Sequence, residues 1–131
     1  MKVVLLAGPS GSGKSRLARS ADALVLRLDD FYLDADTPGL PLTPHGFVDW
    51  DDARCWDAGR AVTALSSVLR DRLAEVPVYS IAESRQTGMR VLDAQDCHVL
   101  IAEGIFAVEF LPTVREPVSY THLTLPTSDL V

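Results

Sequence analysis

Residues 2–18 read KVVLLAGPSGSGKSRLA, and the fold turns on how this stretch is understood. After Lys2 comes a continuous run of valine, leucine and alanine, the pattern of a strand buried on both faces, as in a parallel sheet. Gly8 to Ser15 then fit G-x-x-x-x-G-K-[ST] in full. Glycines allow the backbone to turn its N–H groups inward around an anion, where side chains would collide with it. The next residues, KSRLARSA over 14–21, predict a short helix whose start adds unpaired N–H groups and the positive end of a dipole. In such a cradle Lys14 reaches the β- and γ-phosphates and the Ser15 hydroxyl ligates magnesium. A dinucleotide fingerprint would need a glycine three residues past Gly13, and Arg16 stands there.

Composition narrows the partners. The chain has 131 residues, enough for one domain, and 47% of them are apolar. A net charge of −6, with no basic stripe, argues against a nucleic-acid partner while leaving room for a small phosphorylated ligand at a local positive site. Only two of the twelve basic residues are lysines, which gives the position of Lys14 more weight. Cys55 and Cys97 stand alone, and His45, His98 and His122 have no metal-ligand spacing. The apolar runs are too short to span a bilayer, and the start lacks a cleavage pattern, so a cytoplasmic chain is expected.

Further along, ALVLRL (23–28) predicts a second buried strand, separated from the first by enough chain for a crossover to a parallel neighbour. DADTPGLPLTPHGF (34–47), with three prolines and two glycines, predicts a long loop. Residues 51–75 turn helical, with an apolar stripe through Ala58, Ala61, Val62, Leu65, Val68, Leu69 and Leu73. Asp51, Asp52 and Asp57 offer capping or first-turn carboxylates. Short strands are predicted over 76–82 and 89–93, the latter after a turn at Thr87-Gly88. HVLIAE (98–103) gives a third buried strand, with a helix starting in IFAVEFL. Trp50 and Trp56 could stack on a base but read first as packing under the loop, and Phe31 and Tyr32 read as core or pocket wall.

Ligands of open parallel sheets bind beyond the carboxyl ends of the strands. Here the first strand ends in the cradle, the second in Asp29-Asp30 and the third in Glu103-Gly104. If the strands are parallel, two acidic sites reach the rim that holds the phosphates. Phosphoryl transfer to a hydroxyl needs a magnesium site and a carboxylate that takes the attacking proton.

Four segments now carry a resemblance. LDDFY (28–32), VDWDDA (48–53), PVYSIAESR (77–85) and VLIAEGIFA (99–107) follow, in order, the pattern of the uridine kinase and phosphoribulokinase family of P-loop kinases. The likeness spans residues 1–116. It implies an α/β, three-layer P-loop NTPase of the nucleoside-kinase-like kind with a parallel sheet, incomplete at the C-terminus. By that resemblance Gly8, Pro9, Ser10, Gly11, Ser12, Gly13, Lys14, Ser15 and Arg16 bind ATP, and Lys14 also serves catalysis. Asp29 is implied as the general base, with Asp30 as second choice where the family often has serine. Ser15 and Glu103 are implied to place Mg2+, Asp49 to grip ribose hydroxyls and Tyr79 to line the nucleobase pocket. Arg85 matches an arginine of the substrate side.

The sequence also departs from that pattern. The family's base-reading histidine is missing from SIAESR, which leaves open an acceptor other than uridine, such as a sugar phosphate or pantothenate. A regulatory NTPase switch is a rival from another class. The family's arginine-bearing lid comes after residue 116, and PVSYTHLTLPTSDLV (117–131) has neither helical nor alternating periodicity. That ending resembles translated sequencing-adapter read-through. Residues 1–116 are thus expected to be a partial kinase domain, 117–131 a non-native or disordered tail, and the chain as written inactive. The oligomeric state is left open.

Overall fold

The computed structural model describes residues 2–7, 23–107 and 120–124. Four strands form a parallel sheet: β1 (Lys2–Ala7), β2 (Leu24–Arg27), β5 (Val99–Glu103) and β6 (Tyr120–Thr124), in the order β2-β5-β1-β6. Two more, β3 (Leu73–Ser80) and β4 (Arg85–Asp93), pair antiparallel as a separate hairpin. Among the described residues one α-helix, α1 (Ala58–Asp71), lies along β3.

The apolar runs behave as parallel strands buried on both faces should. Val3 and Leu5 of β1, Leu26 of β2, and Leu100 and Ala102 of β5 point into the main core with Leu65 and Val68 of α1. Their alternates, Leu6 and Ile101, pack the opposite face with Val4, Val25 and Val99. The strand order corrects one expectation. β1 and β2 are parallel, but β5 lies between them, pairing Leu6 with Glu103 on one side and Arg27 with Glu103 on the other. A crossover length fixes direction, not neighbourhood.

Helix α1 is shorter than the periodicity of residues 51–75. Asp57 caps its start, accepting the Arg60 N–H at 3.1 Å. Asp52 instead caps a separate single turn, Ala53–Cys55, where the Arg54 side chain and N–H hold its carboxyl down at about 2. Between them a bridge from Trp56 to Tyr32 draws the chain out of helical geometry. At the other end Arg72 adopts a left-handed conformation (φ 59°), and its N–H closes on the Val68 carbonyl. Leu73, expected on the helical stripe, therefore opens β3 and is 46% exposed. Strand pairing with β4 overrides the helix propensity of RLAE.

The hairpin turn lies at residues 81–84, where Ser84 has φ 52°, and not at Thr87-Gly88. Thr87 and Gly88 sit inside β4 at a bulge: Val78 pairs with Gly88 and Tyr79 with Gln86, leaving Thr87 extra. The Thr87 hydroxyl donates to the Val78 carbonyl at 3.3 Å. A threonine-glycine pair suits a bulge as well as a turn, and the longer pairing decides between them. Residues 34–47 form a loop, as expected, tightened by the bridge between Leu42 and Val48. Tyr120–Thr124, from the segment expected to lack regular structure, add β6 along β1, from Val3 opposite Tyr120 to Ala7 opposite Thr124. An aromatic residue and two threonines in YTHLT suit a strand, and β1 offers it an edge.

Candidate active site

Because β1, β5 and β2 run parallel and adjacent, their carboxyl ends share one rim. Ala7, the last residue before the glycine-rich stretch, ends β1. The Gly104 N–H donates to the Leu6 carbonyl at 3.1 Å, carrying the β1–β5 ladder to its last rung. Past the end of β2, the turn Leu28–Phe31 places Asp29 against Gly104. The Ile105 N–H donates to Asp29 Oδ1 at 3.4 Å. Gly104 is there because nothing larger fits. A Cβ on it would lie 2.8 Å from Asp29 Oδ1 and 3.0 Å from Leu28 Cβ. Asp29, Glu103 and the end of β1 are thus brought together. Gly8 to Arg16, with Lys14 and Ser15, lie outside the described residues.

Beside Asp29 begins an aromatic cluster. Tyr32 packs edge-on against Trp50 (centroids 5.8 Å apart) and Phe106 (5.7 Å), and tilted against Tyr79 (5.7 Å). Burial raises the Tyr32 hydroxyl pKa well above the usual tyrosine range, and the nearby carboxylates of Asp29 and Asp51 add to the shift. Tyr32, Trp50, Tyr79, Ile81 and Ser84 line a cavity of about 210 Å³. Burial also pushes the Tyr79 hydroxyl up to about 12, with Asp34 and Cys55 contributing. Charge is disfavoured at this wall, which suits a flat apolar surface better than an ion.

The other sequence-derived candidates divide. Tyr79 lines the cavity. Asp49 neighbours the wall residue Trp50; its Oδ1 accepts the Asp51 N–H at 3.3 Å and its carbonyl accepts from the buried Cys55 thiol. Arg85 opens β4, where its guanidinium binds Glu83 at 3.0 Å and the Gln86 carbonyl. Among the described residues no contact joins it to the rim. Asp30 is buried and accepts the Tyr79 N–H, the part of a structural tie. The two tryptophans separate as well. Trp56 is core, its indole N–H donating to the Leu28 carbonyl at 2.7 Å and its ring stacked on Phe106. Trp50, read as packing, is a cavity wall. A sequence signal for it is its place between Asp49 and Asp51, a residue type seldom fully buried unless paired.

Among the described residues no group of three or more histidine, cysteine or acidic side chains could hold a metal by itself. The donors at hand for a magnesium ion are the Glu103 carboxylate and, in sequence, the Ser15 hydroxyl, both of the oxygen type that ion takes. Among the described residues no helix is long and apolar enough to cross a membrane.

Comparison with known proteins agrees with this architecture. No family model matches the chain. It is 27% identical over 106 residues to the inorganic pyrophosphatase TTM2 of Arabidopsis thaliana, covering 81% of this chain and 15% of that protein. It is 26% identical over 111 residues to uridine-cytidine kinase C of Dictyostelium discoideum, covering 81% and 23% respectively. The chain therefore spans less than a quarter of the length of these curated relatives. Among solved structures it resembles a possible uridine kinase from Bacillus stearothermophilus (TM-score 0.57, 17% identity, 79% of this chain and 60% of that one). A fructose transport system kinase candidate from Silicibacter sp. TM1040 aligns with TM-score 0.63 at 21% identity, over 98% of this chain and 68% of the other. D-glycerate 3-kinase from Cryptococcus neoformans aligns with TM-score 0.51 at 24% identity, over 79% of this chain and 42% of the other. The fold is that of the α/β P-loop kinases.

Proposed function

We propose that the chain is part of a small-molecule kinase that moves the γ-phosphoryl group of ATP to a hydroxyl of a pyrimidine nucleoside. One observation carries the reading: Asp29 sits at the strand-end rim beside Glu103-Gly104 and also next to Tyr32, the ring that joins the aromatic cavity. A carboxylate between a phosphate-binding rim and a cavity for a flat group is where an acceptor hydroxyl has to be met.

In this reading the residues 8–16 hold the triphosphate, with Lys14 balancing the charge of the transferred group. Asp29 orients the acceptor hydroxyl and takes its proton as the new P–O bond forms. Ser15 and Glu103 would hold Mg2+, which when bound neutralises phosphate charge. Asp49 takes ribose hydroxyls, and Tyr79, Tyr32 and Trp50 enclose the base. Arg85 faces the substrate only if its bond to Glu83 opens. Holding both substrates in one geometry supplies most of the rate, because phosphoryl transfer asks the protein for placement and charge rather than covalent chemistry.

The missing base-reading histidine keeps a second reading in play, a kinase of another hydroxyl metabolite such as a sugar phosphate, pantothenate or D-glycerate. Because the chain as written is expected to be inactive, the assays use the full-length protein with its lid: calorimetric titration with ATP and assay of transfer to uridine, cytidine, pantothenate, D-glycerate and sugar phosphates separate the two. ATP binding with transfer to a pyrimidine nucleoside is the expected result. Transfer to a non-nucleoside alone would replace the acceptor, and a full-length protein that neither binds ATP nor transfers phosphate would refute the kinase. Asp29→Asn should cut turnover by about 10²-fold or more with ATP affinity within about twofold, since it removes a proton acceptor and no phosphate contact. Unchanged turnover in Asp29→Asn would point to an NTPase switch instead.

A further inference from the structure

A carboxylate in a core needs a reason, because burying it without a hydrogen-bond partner is costly. Among the described residues Asp30 is the one buried charged side chain, 7% exposed. Its Oδ1 accepts the Tyr79 N–H at 3.2 Å. Four residues on, Asp34 Oδ1 accepts the Gln86 N–H at 2.8 Å. Tyr79 and Gln86 are register partners, and they form the rung beside the bulge. Both N–H groups therefore donate out of the hairpin, to two carboxylates of one segment.

The same segment holds Tyr79 at its other end. The Tyr79 hydroxyl donates to the Leu33 carbonyl at 3.0 Å, and the Ala35 N–H donates to the Ser84 carbonyl at 2.9 Å. Residues 30–35 thus grip β3, β4 and the turn between them, just after the turn that carries Asp29. Tyr79 and Ser84 are both cavity wall. A bulge is where a ladder is weakest, so the hairpin's own pairing does not fix the Tyr79 ring. The external bonds do.

We propose that Asp30 is a positioning residue for acceptor recognition: with Asp34 it clasps the Tyr79–Gln86 rung and so fixes the cavity wall in register with Asp29. Asp30 is then neither an alternative base nor a metal ligand. It acts through one acceptor oxygen, and its charge is dispensable. The acceptor role rests on the kinase reading above; the clasp itself does not.

The test compares the full-length wild-type protein, lid included, with its Asp30→Asn, Asp30→Ala and Asp34→Ala variants, using ATP and uridine. Steady-state kinetics give KM for each substrate and kcat, and NMR hydrogen exchange follows the Tyr79 amide. Asp30→Ala should raise KM for uridine about tenfold, the scale of one buried hydrogen bond, with kcat and KM for ATP within about twofold. Exchange of the Tyr79 amide should speed up by about the same factor. Asp30→Asn, whose amide oxygen still accepts from Tyr79, should stay within about twofold of wild type on every measure. If Asp30→Ala does not fold, Asp34→Ala carries the same expectation through the Gln86 side of the rung. Asp30→Asn as damaging as Asp30→Ala overturns the proposal, because charge would then be what matters. So does an unmoved uridine KM in Asp30→Ala or, in its place, Asp34→Ala. A full-length wild-type protein that phosphorylates no acceptor refutes the kinase reading, and with it the acceptor role, whereas a failed clasp with normal wild-type turnover refutes the clasp alone.

Discussion

The strand-end rim and the aromatic cavity are neighbours held together by different means. At the rim, position comes from backbone ladders. β1, β5 and β2 run side by side, and the register that pairs Glu103 with Leu6 and Arg27 leaves Asp29 and Gly104 in contact. At the cavity, position comes from side chains of distant segments: rings from residues 32, 50 and 79, tied by Asp30, Asp34 and the Leu33 carbonyl. Ladders tolerate the loss of a side chain but not the gain of one where backbones meet. The cavity should show the opposite sensitivity, yielding to truncation in modest steps.

The largest effect should therefore follow from adding one carbon to the rim. Gly104→Ala places its Cβ 2.8 Å from Asp29 Oδ1, and the carboxylate is freer to swing than the backbone is to shift. A displacement of about 1 Å at the attacking hydroxyl is worth about 10²-fold in rate. Turnover should fall by that order with little change in ATP affinity, and rate assays beside ATP titration check it. A fall in ATP affinity of the same size would mean that the rim is one unit with the phosphate cradle.

A smaller effect should come from removing a wall. Trp50→Leu takes away one stacking surface, which should raise KM for uridine about tenfold with kcat nearly unchanged. Fluorescence gives a second view, because the chain has two tryptophans and Trp56 is buried at 5% exposure with its N–H bonded. Emission that responds to uridine should come from Trp50 and vanish in the variant. A response that survives Trp50→Leu would move the acceptor away from this cavity.

The same contrast explains what could be read from sequence. The rim was legible because a strand buried on both faces writes itself as an unbroken apolar run, and because glycine and acidic residues at its end have few other uses there. What escaped was neighbourhood: nothing in the runs says that β5 enters between β1 and β2. The hairpin side was harder. RLAE has helical composition, and Thr87-Gly88 suits a turn, yet pairing over residues 73–93 makes the first a strand and the second a bulge. Tyr79 was reached only through resemblance. For Trp50 base stacking ranked below packing, because a cavity wall is made by residues far apart in the chain and no local period records it.

The smallest effect, and the one that reports most directly on the cavity's interior, is in the alkaline range. Burial raises the Tyr79 hydroxyl from 10.0 to about 12. Below pH 10 the folded and unfolded chains both keep that proton, and its contribution to stability is fully present. Between pH 10 and 12 the unfolded chain ionises while the folded one does not, so stability falls as pH rises through this window. Tyr79→Phe removes this part of the slope. It also loses the bond to the Leu33 carbonyl, about 1 kcal/mol, or about 3–6 °C in Tm near neutrality. The two melting curves should then approach each other as pH rises from 10, with the wild type losing more. Parallel curves across that window would show that the Tyr79 hydroxyl is as well hydrated as in the unfolded chain, and that the wall is open to water rather than a dry surface for a base.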